Sequence, residues 1–416
     1  MGRMVQVFRL YQLALSCDRE LLWLSWMINP PQGYSTMSDS SSAKMHQQGI
    51  LDGSLWAEFC DELKAAGDVV LRAQTPPDLF NRAEGFRYLT RLLRAGLDSY
   101  MESSDPRFPR FFQLANETIK IGNDNPDNIY HNANVDGTLD YKLRGNRGTV
   151  DYLSFGTKAG SYATTGSMEP TGQLEAADLE LDANGDFEIV LSSRPHAGNW
   201  LPMREDSESL IVRQTFGDRS KETAATYSIE CISTQGDDSL NPAAFAGQLL
   251  RSAGFVKNTA DMFAQWMDRY SAHINALPSD DQARCQRAGG DAAIHYLQSY
   301  WKLAPDEALL IYARDVPNCK TWNFQLSNYW MESLDYRYHR ISVNKHTAAY
   351  NRDGSVTVVV AHTDPGACFP NWLTTTGHDQ GGMLWRWVEA DRHPPVDCRV
   401  VKFAELQSAF QQEKTP

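Results

Sequence analysis

The spacing of apolar residues divides this chain into alternating helical and extended stretches. From Leu51 to about Arg72, Trp56, Phe59, Cys60, Leu63 and Val70 recur at helical spacing, and Pro76-Pro77 stops the run. A second helix is predicted over Ala83 to Met101, with Phe86, Leu89, Leu93, Leu97 and Tyr100 as its core stripe. After Pro106 and Pro109 the period shortens to short alternating runs separated by Asn, Gly and Asp, the texture of hairpins. Helical texture returns from Pro242 to Leu303, broken near Pro278-Ser279 and by the pair Gly289-Gly290, and alternation resumes from Leu309 to Phe403.

The two alternating stretches read as copies of one unit. The first runs Asn184-Gly185, a strand Phe187 to Leu191, Pro195, Asn199-Trp200-Leu201, then a strand with Arg213. The second runs Asp353-Gly354, a strand Val356 to Val360, Pro365, Asn371-Trp372-Leu373, then a strand with Arg386. Asn-Gly and Asp-Gly supply the positive φ angles of tight turns, so the two series predict equivalent hairpins. Alternation places Phe187, Ile189 and Leu191, and likewise Val356, Val358 and Val360, on one buried face. The expected fold class is α+β: two internally duplicated antiparallel β-sandwich or jelly-roll-like units with an N-terminal helical segment and a helical insertion. The expected segments are a peripheral extension (1–48), helices (49–110), a first β unit (111–240), a helical insertion (241–306), a second β unit (307–406) and a tail (407–416).

Composition narrows the function classes. Lys plus Arg total 39 against 52 for Asp plus Glu over 416 residues, a formal charge of -13, so the general field repels phosphate backbones and nucleic acid is not an expected partner. The seven cysteines are odd in number and scattered, without a Cys-x-x-Cys pair, and read as free thiols of a reducing, cytoplasmic compartment. No apolar run reaches the roughly 18 residues that cross a bilayer, so no membrane partner is expected. Residues 5–28 are fairly apolar but interrupted by Asp18, Arg19 and Glu20, and a Ser-rich stretch follows. The plainer reading is a dispensable extension; the sharper one is an amphipathic surface helix carrying Trp23 and Trp26.

The run Asn-Tyr-Trp-Met-Glu-Ser-Leu-Asp-Tyr (328 to 336), with Arg340, Asn344, Asp353-Gly354, Asp364-Pro365-Gly366, Asn371-Trp372-Leu373, Gly377-His378 and Arg386-Trp387, resembles the domain-of-unknown-function 1214 family. Asn-Pro-Asp-Asn-Ile-Tyr (125 to 130) with Asp136-Gly137 is similar to that family's upstream segment. The resemblance implies a jelly-roll-like β fold and a role in bacterial catabolism of aromatic or other apolar small molecules, lignin-derived aromatics among them.

The chain lacks a Gly-x-Ser-x-Gly elbow, a His-Glu-x-x-His pair and both glycine-rich phosphate loops, which removes the usual support for serine-hydrolase, zinc-protease, nicotinamide and nucleotide readings. His362, Asp364 and His378 could supply a facial metal triad, but Asp364-Pro365-Gly366 reads better as a turn, and Asp182 to Asp186 as a hairpin rather than a calcium loop. No cofactor or metal is therefore expected. Alternation along 322–330 sets Trp322, Phe324, Leu326, Asn328 and Trp330 on one face, a strand running from core to pocket mouth. With Tyr336, Asn128, Tyr130 and neighbouring His131, these form a candidate aromatic and polar pocket, in which Asn328, Trp330, Tyr336, Asn128 and Tyr130 bind substrate. His378 is the candidate base, and Arg340 and Arg386 the cations for a carboxylate or oxyanion. The duplicated Asn-Trp pairs and arginines also admit a purely structural role, each copy pinning its own loop. The expected activity is a cofactor-independent lyase that decarboxylates, or eliminates an aldehyde from, a small phenolic aromatic. The alternative is a non-enzymatic sandwich that binds an aromatic or carbohydrate ligand; homo-oligomerisation is left open.

Overall fold

The computed structural model describes residues 38–233, 236, 237 and 239–413. It divides into two units, residues 1–55 and 56–416. In the first, helix α1 (Ser38–Asp52) takes up much of the Ser-rich stretch, and Gly53 at φ 81° separates it from the start of α2 (Ser54–Ala66). The expectations for Trp23, Trp26 and the rest of residues 1–37 lie outside the described residues. All the named strands lie in the second unit.

Two overlapping stripes compete on α3 (Leu79–Leu97), and the structure buries the one that sequence spacing did not favour. Asp78 caps the helix by accepting from Asn81 N at 2.9 Å, Tyr88, Leu92 and Ala95 are buried, and Phe86 is 47% exposed. On α2, Leu55, Phe59 and Ala66 are buried, while Trp56 and Cys60 face out. The helix orientation is set by its partners: α3 packs on α4 (Pro242–Tyr270), with Gly96 close enough to Ser252 for the serine hydroxyl to donate to its carbonyl. Tyr88 lies against Trp330. A short α5 (Gln282–Arg287) follows.

The first β unit contains β1 (Asn128–Asn134), β2 (Tyr141–Asn146), β3 (Tyr152–Ala159), β4 (Glu169–Glu175), β5 (Asp186–Ser192), β6 (Trp200–Pro202), β7 (Ser207–Thr215) and β8 (Thr226–Cys231). The second contains β9 (Ile294–Lys302), β10 (Glu307–Ala313), β11 (Thr321–Leu326), β12 (Ser342–Asn344), β13 (Val356–Ala361), β14 (Trp372–Thr374), β15 (Gln380–Val388) and β16 (Asp397–Lys402). The sheets of the first unit are ordered β1-β7-β3-β4 and β6-β5-β2-β8, and those of the second β9-β15-β11-β12 and β14-β13-β10-β16. Adding eight to every strand of the first pair gives the second, so the chain is two copies of one sandwich.

Local chemistry repeats with the topology. Asn199 Nδ2 donates to the carbonyls of Glu180 and Glu188, and Asn371 Nδ2 to those of Ala349 and Thr357; Trp200 Nε1 donates to Ser192 O and Trp372 Nε1 to Ala361 O, both at 3.1 Å. Each Asn-Trp pair therefore pins its own copy's loop, as the structural reading proposed. Gly185 and Gly354, at φ 83° and 85°, make the matching turns.

Two boundaries differ from the sequence reading. Residues 294–302 form a strand rather than the end of a helical insertion, so the second copy begins at 294 and not 307. β9 pairs with β15 along its length, turning Leu297 and Trp301 into the sandwich and Tyr296 and Tyr300 toward the helices, and this tertiary pairing decides a segment ambiguous in isolation. The expected tail is also structural, because α6 (Leu406–Glu413) buries Leu406 and Ala409 against Leu310, Val359 and Ala361. That cover explains why β13 is buried on both faces and reads as a continuous apolar run, whereas β5 alternates. No helix of the described residues is long and apolar enough to cross a membrane.

One strand position runs against its surroundings. Lys158 on β3 is 1% exposed, its ammonium reaches only Gly290 O at 3.3 Å, and burial followed by the nearby Arg213 charge pushes its pKa down to about 7. The unfolded chain thus binds the proton more tightly than the folded one. The resulting penalty is fully present below about pH 7 and fades as pH rises toward the unfolded value, near 10.4. Lys158→Met is expected to raise stability by a few kcal/mol, on the order seen when buried charges are removed, with the gain over wild type shrinking between about pH 7 and about pH 10 in thermal unfolding.

Candidate functional site

The loops that precede β1 and β9 cross between the copies and build a cavity there with approximate twofold symmetry. Arg213 lies across the ladder from Tyr130, and Arg386 across from Tyr296. Arg213 Nη2 donates to Gly289 O in the other copy, and Arg386 Nη2 donates to Asn123 O. Tyr130 Oη accepts the amide of Asn125 at 3.0 Å, and Tyr296 Oη accepts that of Asp291 at 3.1 Å. The cavity volume is about 150 Å³, with Met168, Ile211, Phe263 and Leu384 as apolar wall. A cavity of roughly this size holds a single benzene ring.

The polar lining of this cavity combines the donors Arg213, Arg386, Tyr130 and Tyr296 with Asp124 and the amides of Asn123, Asn125 and Asn128. Burial pushes both tyrosine hydroxyls above the usual phenol range, so they stay protonated at neutral pH, and among the described residues neither donates to a protein acceptor. The arginines differ. Burial opposes the charge of Arg213, but Asp291, 3.7 Å away, helps hold that guanidinium above its ordinary value. Arg386 meets only neutral acceptors within bonding distance, Gln325 Oε1 at 2.6 Å, Asn323 Oδ1 at 3.2 Å and Asn123 O, and burial pushes its pKa down. No described carboxylate lies within ion-pair distance of it; Asp127, which burial pushes up to about 6, and Asp124 act on it from farther off. The side-chain oxygens of Asn123 and Asn128, both lining the cavity, are buried without a partner.

His378 and Asn328 lie in a second, separate cleft of about 360 Å³ beside α3. His378 Nε2 is 2.8 Å from Glu84 Oε2, its Nδ1 is 3.0 Å from Thr375 O, and Phe80 packs edge-on against the ring. Both nitrogens thus face acceptors, the pattern of an imidazolium. Burial works against that charge, but the Glu84 hydrogen bond and charge, with the Thr375 carbonyl, hold the pKa above its ordinary value. Asn328 bridges Glu84 at 3.2 Å and Glu332 at 2.9 Å, and Glu332 pairs with Arg91. Because the folded pKa exceeds the unfolded one, this contact stabilises fully below the unfolded value and is lost as pH rises through the folded one. Thermal unfolding of wild type and Glu84→Gln should differ most below the ordinary histidine range, near about pH 6, with the gap narrowing as pH rises above it. A gap independent of pH would show that the pair carries no such linkage.

The single pocket anticipated from sequence is therefore two. Asn128, Tyr130 and Arg386 meet in the inter-copy cavity, His378 and Asn328 in the α3 cleft, and Trp330, Tyr336 and Arg340 line neither. The predicted strand ends at Leu326, and residues 327–333 turn back through a Ser327–Ser333 bridge, with Met331 at φ 54°. Trp322, Phe324 and Leu326 fill the sandwich, while the opposite parity, Asn323 and Gln325, reaches Arg386. Trp330 is 1% exposed and donates to Asn81 O at 2.9 Å. Tyr336 lies under the Lys120 ammonium, and the exposed Arg340 bonds Pro370 O. His131 meets Tyr227 Oη. His362 contacts Thr375 Oγ1 and Asp364 accepts Gly366 N in a turn, so neither approaches His378 as a co-ligand, and no group of three metal-ligating side chains occurs among the described residues.

Sequence reasoning missed Tyr296, Asp291, Asn123 and Glu84. For the first two a signal existed: Asp291 precedes Tyr296 by the interval that separates Asn125 from Tyr130, and extending the repeat upstream would have aligned them.

Comparison with solved structures gives two matches of very different depth. A crystal structure of an uncharacterized protein from Burkholderia cenocepacia matches at 52% identity with a TM-score of 0.84, over 86% of this chain and 99% of that one. A Vibrio parahaemolyticus protein matches at 11% identity with a TM-score of 0.46, over 77% of this chain and 98% of that one. No curated protein matches. The family model described as "Protein of unknown function (DUF1214)" matches residues 308–391, which run from β10 through β15 of the second copy. The chain belongs to the DUF1214 family.

Proposed function

We propose that the protein takes a one-ring aromatic acid, with a ring hydroxyl, into the inter-copy cavity. The observation that carries this reading is Arg386, a buried guanidinium with neutral protein partners only, facing an aromatic cavity of about 150 Å³. A buried charge whose nearest carboxylates, Asp127 and Asp124, lie beyond ion-pair distance is costly, and a bound carboxylate or phenolate lowers that cost. The unpartnered oxygens of Asn123 and Asn128 supply acceptors for a ring hydroxyl, and Met168 and Phe263 supply apolar wall. A carbohydrate has less support, since Trp200 and Trp372 are each engaged in pinning a loop.

The lyase reading extends the same site, supported by the tyrosine pair. Tyr130 and Tyr296 each have a hydroxyl oxygen engaged by a backbone amide and a proton left to donate, the arrangement that stabilises an oxyanion. A phenolate held by these donors and Arg386 pushes electron density into the ring. The bond from side chain to carboxyl carbon then breaks, carbon dioxide leaves, and a proton takes its place, with no net change in oxidation state. In the aldehyde variant the carbinol hydroxyl gives up its proton, the bond to the carbinol carbon breaks with its electron pair left on the remaining side-chain carbon, that carbon takes up a proton, and formaldehyde leaves. The α3 cleft holds His378 apart from this chemistry, so the base role is not carried forward.

The test is thermal unfolding with a panel of acids, followed by assays for carbon dioxide and formaldehyde. One-ring hydroxylated carboxylates should stabilise the protein by about 2.7 kcal/mol at a hundred times Kd, with naphthoates and aliphatic acids far weaker. Equal effects from all acids would contradict the site. Binding without release of either product would leave the protein a binding module.

A further inference from the structure

The inter-copy cavity borders a second and larger space of about 550 Å³, which reaches the exposed residues Glu205 and Glu208. Leu114, Asn132, Tyr162 and Met168 line both spaces and so form the partition between them. Two of the four are fixed by paired backbone: Phe112 N donates to Asn132 O at 2.9 Å, Asn132 N to Phe112 O at 2.8 Å, and Leu114 N to Asn132 Oδ1 at 3.4 Å. Met168 is an unbranched thioether, which yields to a neighbour at low cost. Tyr162 is the rigid member. Its ring stacks on Phe255 of α4 at 6.4 Å and meets Phe263 edge-on at 5.9 Å, its hydroxyl donates to Ala288 O just past α5, and Asn258 Nδ2 donates to the neighbouring Ala163 O at 3.0 Å. A side chain of the first copy thus reaches the connection that leads into the second and closes the gap between them.

We propose that Tyr162 sets the ring count of the ligand: it stands where a second fused ring would pass, so the inner cavity takes one ring, and without it the two spaces join into one that takes a two-ring acid. This rests on the reading of the inner cavity as an aromatic-acid site and goes beyond it in naming the residue that fixes ligand length. The charges of the outer space set the orientation. Asp136, Glu205, Asp206 and Glu208 line it against a single lining cation among the described residues, Arg251, which already pairs with Glu208 at 3.2 Å. The acid group therefore stays inward at Arg386, and the outer space receives the uncharged end.

Calorimetric titration of the full chain with 4-hydroxybenzoate and with 2-naphthoate tests this. Wild type should prefer 4-hydroxybenzoate, and Tyr162→Ala should gain about tenfold or more in affinity for 2-naphthoate. Tyr162→Phe keeps the ring and drops only the bond to Ala288 O, so it should keep the wild-type preference. Phe263→Ala controls for void size, because Phe263 lines the inner cavity but not the outer space, and its affinity for 2-naphthoate should stay within about twofold of wild type. Should Tyr162→Ala fail to fold, Tyr162→Leu, which keeps apolar cover over Phe255, takes its place. A Tyr162 truncation that binds 2-naphthoate within about twofold of wild type, or an equal gain in Phe263→Ala, would overturn the ring-count assignment alone. No binding of any aromatic acid by the wild type would overturn the cavity reading and this inference together.

Discussion

Trp330→Ala should lower the stability of the fold by about 3–5 kcal/mol, with the loss visible as a reduced midpoint in thermal or denaturant unfolding. Trp330 is 1% exposed, its ring lies 6.2 Å from that of Tyr88 and 5.1 Å from that of Tyr329, and its indole nitrogen donates to Asn81 O. Truncation would open a void under α3 and remove that hydrogen bond at the same time. The close fit is visible at Gly85, where an added Cβ would stand 2.4 Å from Trp330 Cζ2, so Gly85→Val should be comparably damaging. A Trp330→Ala variant as stable as wild type, but weakened in binding aromatic acids, would return Trp330 to the role of a pocket wall.

Much of the fold was legible in the sequence because the copies repeat the same turn chemistry. Asn184-Gly185 and Asp353-Gly354, followed at similar intervals by Asn199-Trp200 and Asn371-Trp372, carried the duplication, and their side chains make the same local bonds in both copies. The start of the second copy was hidden. Residues 294–302 have the aromatic and β-branched character of a strand but follow a long helical stretch, and only pairing with β15 across a large sequence separation resolves them. The orientation of α3 was hidden for a similar reason. Phe86 and Tyr88 offer rival stripes, and the choice is made by Trp330, more than two hundred residues later.

The site was legible in part. Arg386, Asn128 and Tyr130 were named from residue type and family pattern, and they do meet. Parity failed where the strand ended: carrying the alternation of β11 past Leu326 put Asn328 and Trp330 on a face that the turn at 327–333 abolishes, while Asn323 and Gln325, passed over as the other face, are the groups on Arg386. His378 was a reasonable base by pKa alone. The structure sets it in the α3 cleft, apart from Arg386, on Glu84 of a helix nearly three hundred residues upstream, a contact that no local pattern encodes.

The central claim is that Arg386 is the anion-reading group of the inter-copy cavity, and Arg386→Gln isolates it. Glutamine keeps a donor while removing the charge, so the partners Asn323, Gln325 and Asn123 O retain polar company and the fold is expected to gain rather than lose stability, because burial already disfavours the guanidinium. Binding should move in the opposite direction. Removal of a charge-assisted contact inside a desolvated cavity is expected to weaken 4-hydroxybenzoate by about a hundredfold, equivalent to about 2.7 kcal/mol. The most direct measurement is a calorimetric titration of wild type and Arg386→Gln with 4-hydroxybenzoate under identical conditions, alongside their thermal midpoints. The account predicts wild-type binding at one site per chain and a loss of about two orders of magnitude in a variant whose midpoint is maintained or raised. Equal affinity in the two proteins, or a variant that loses its fold together with its ligand, would contradict it.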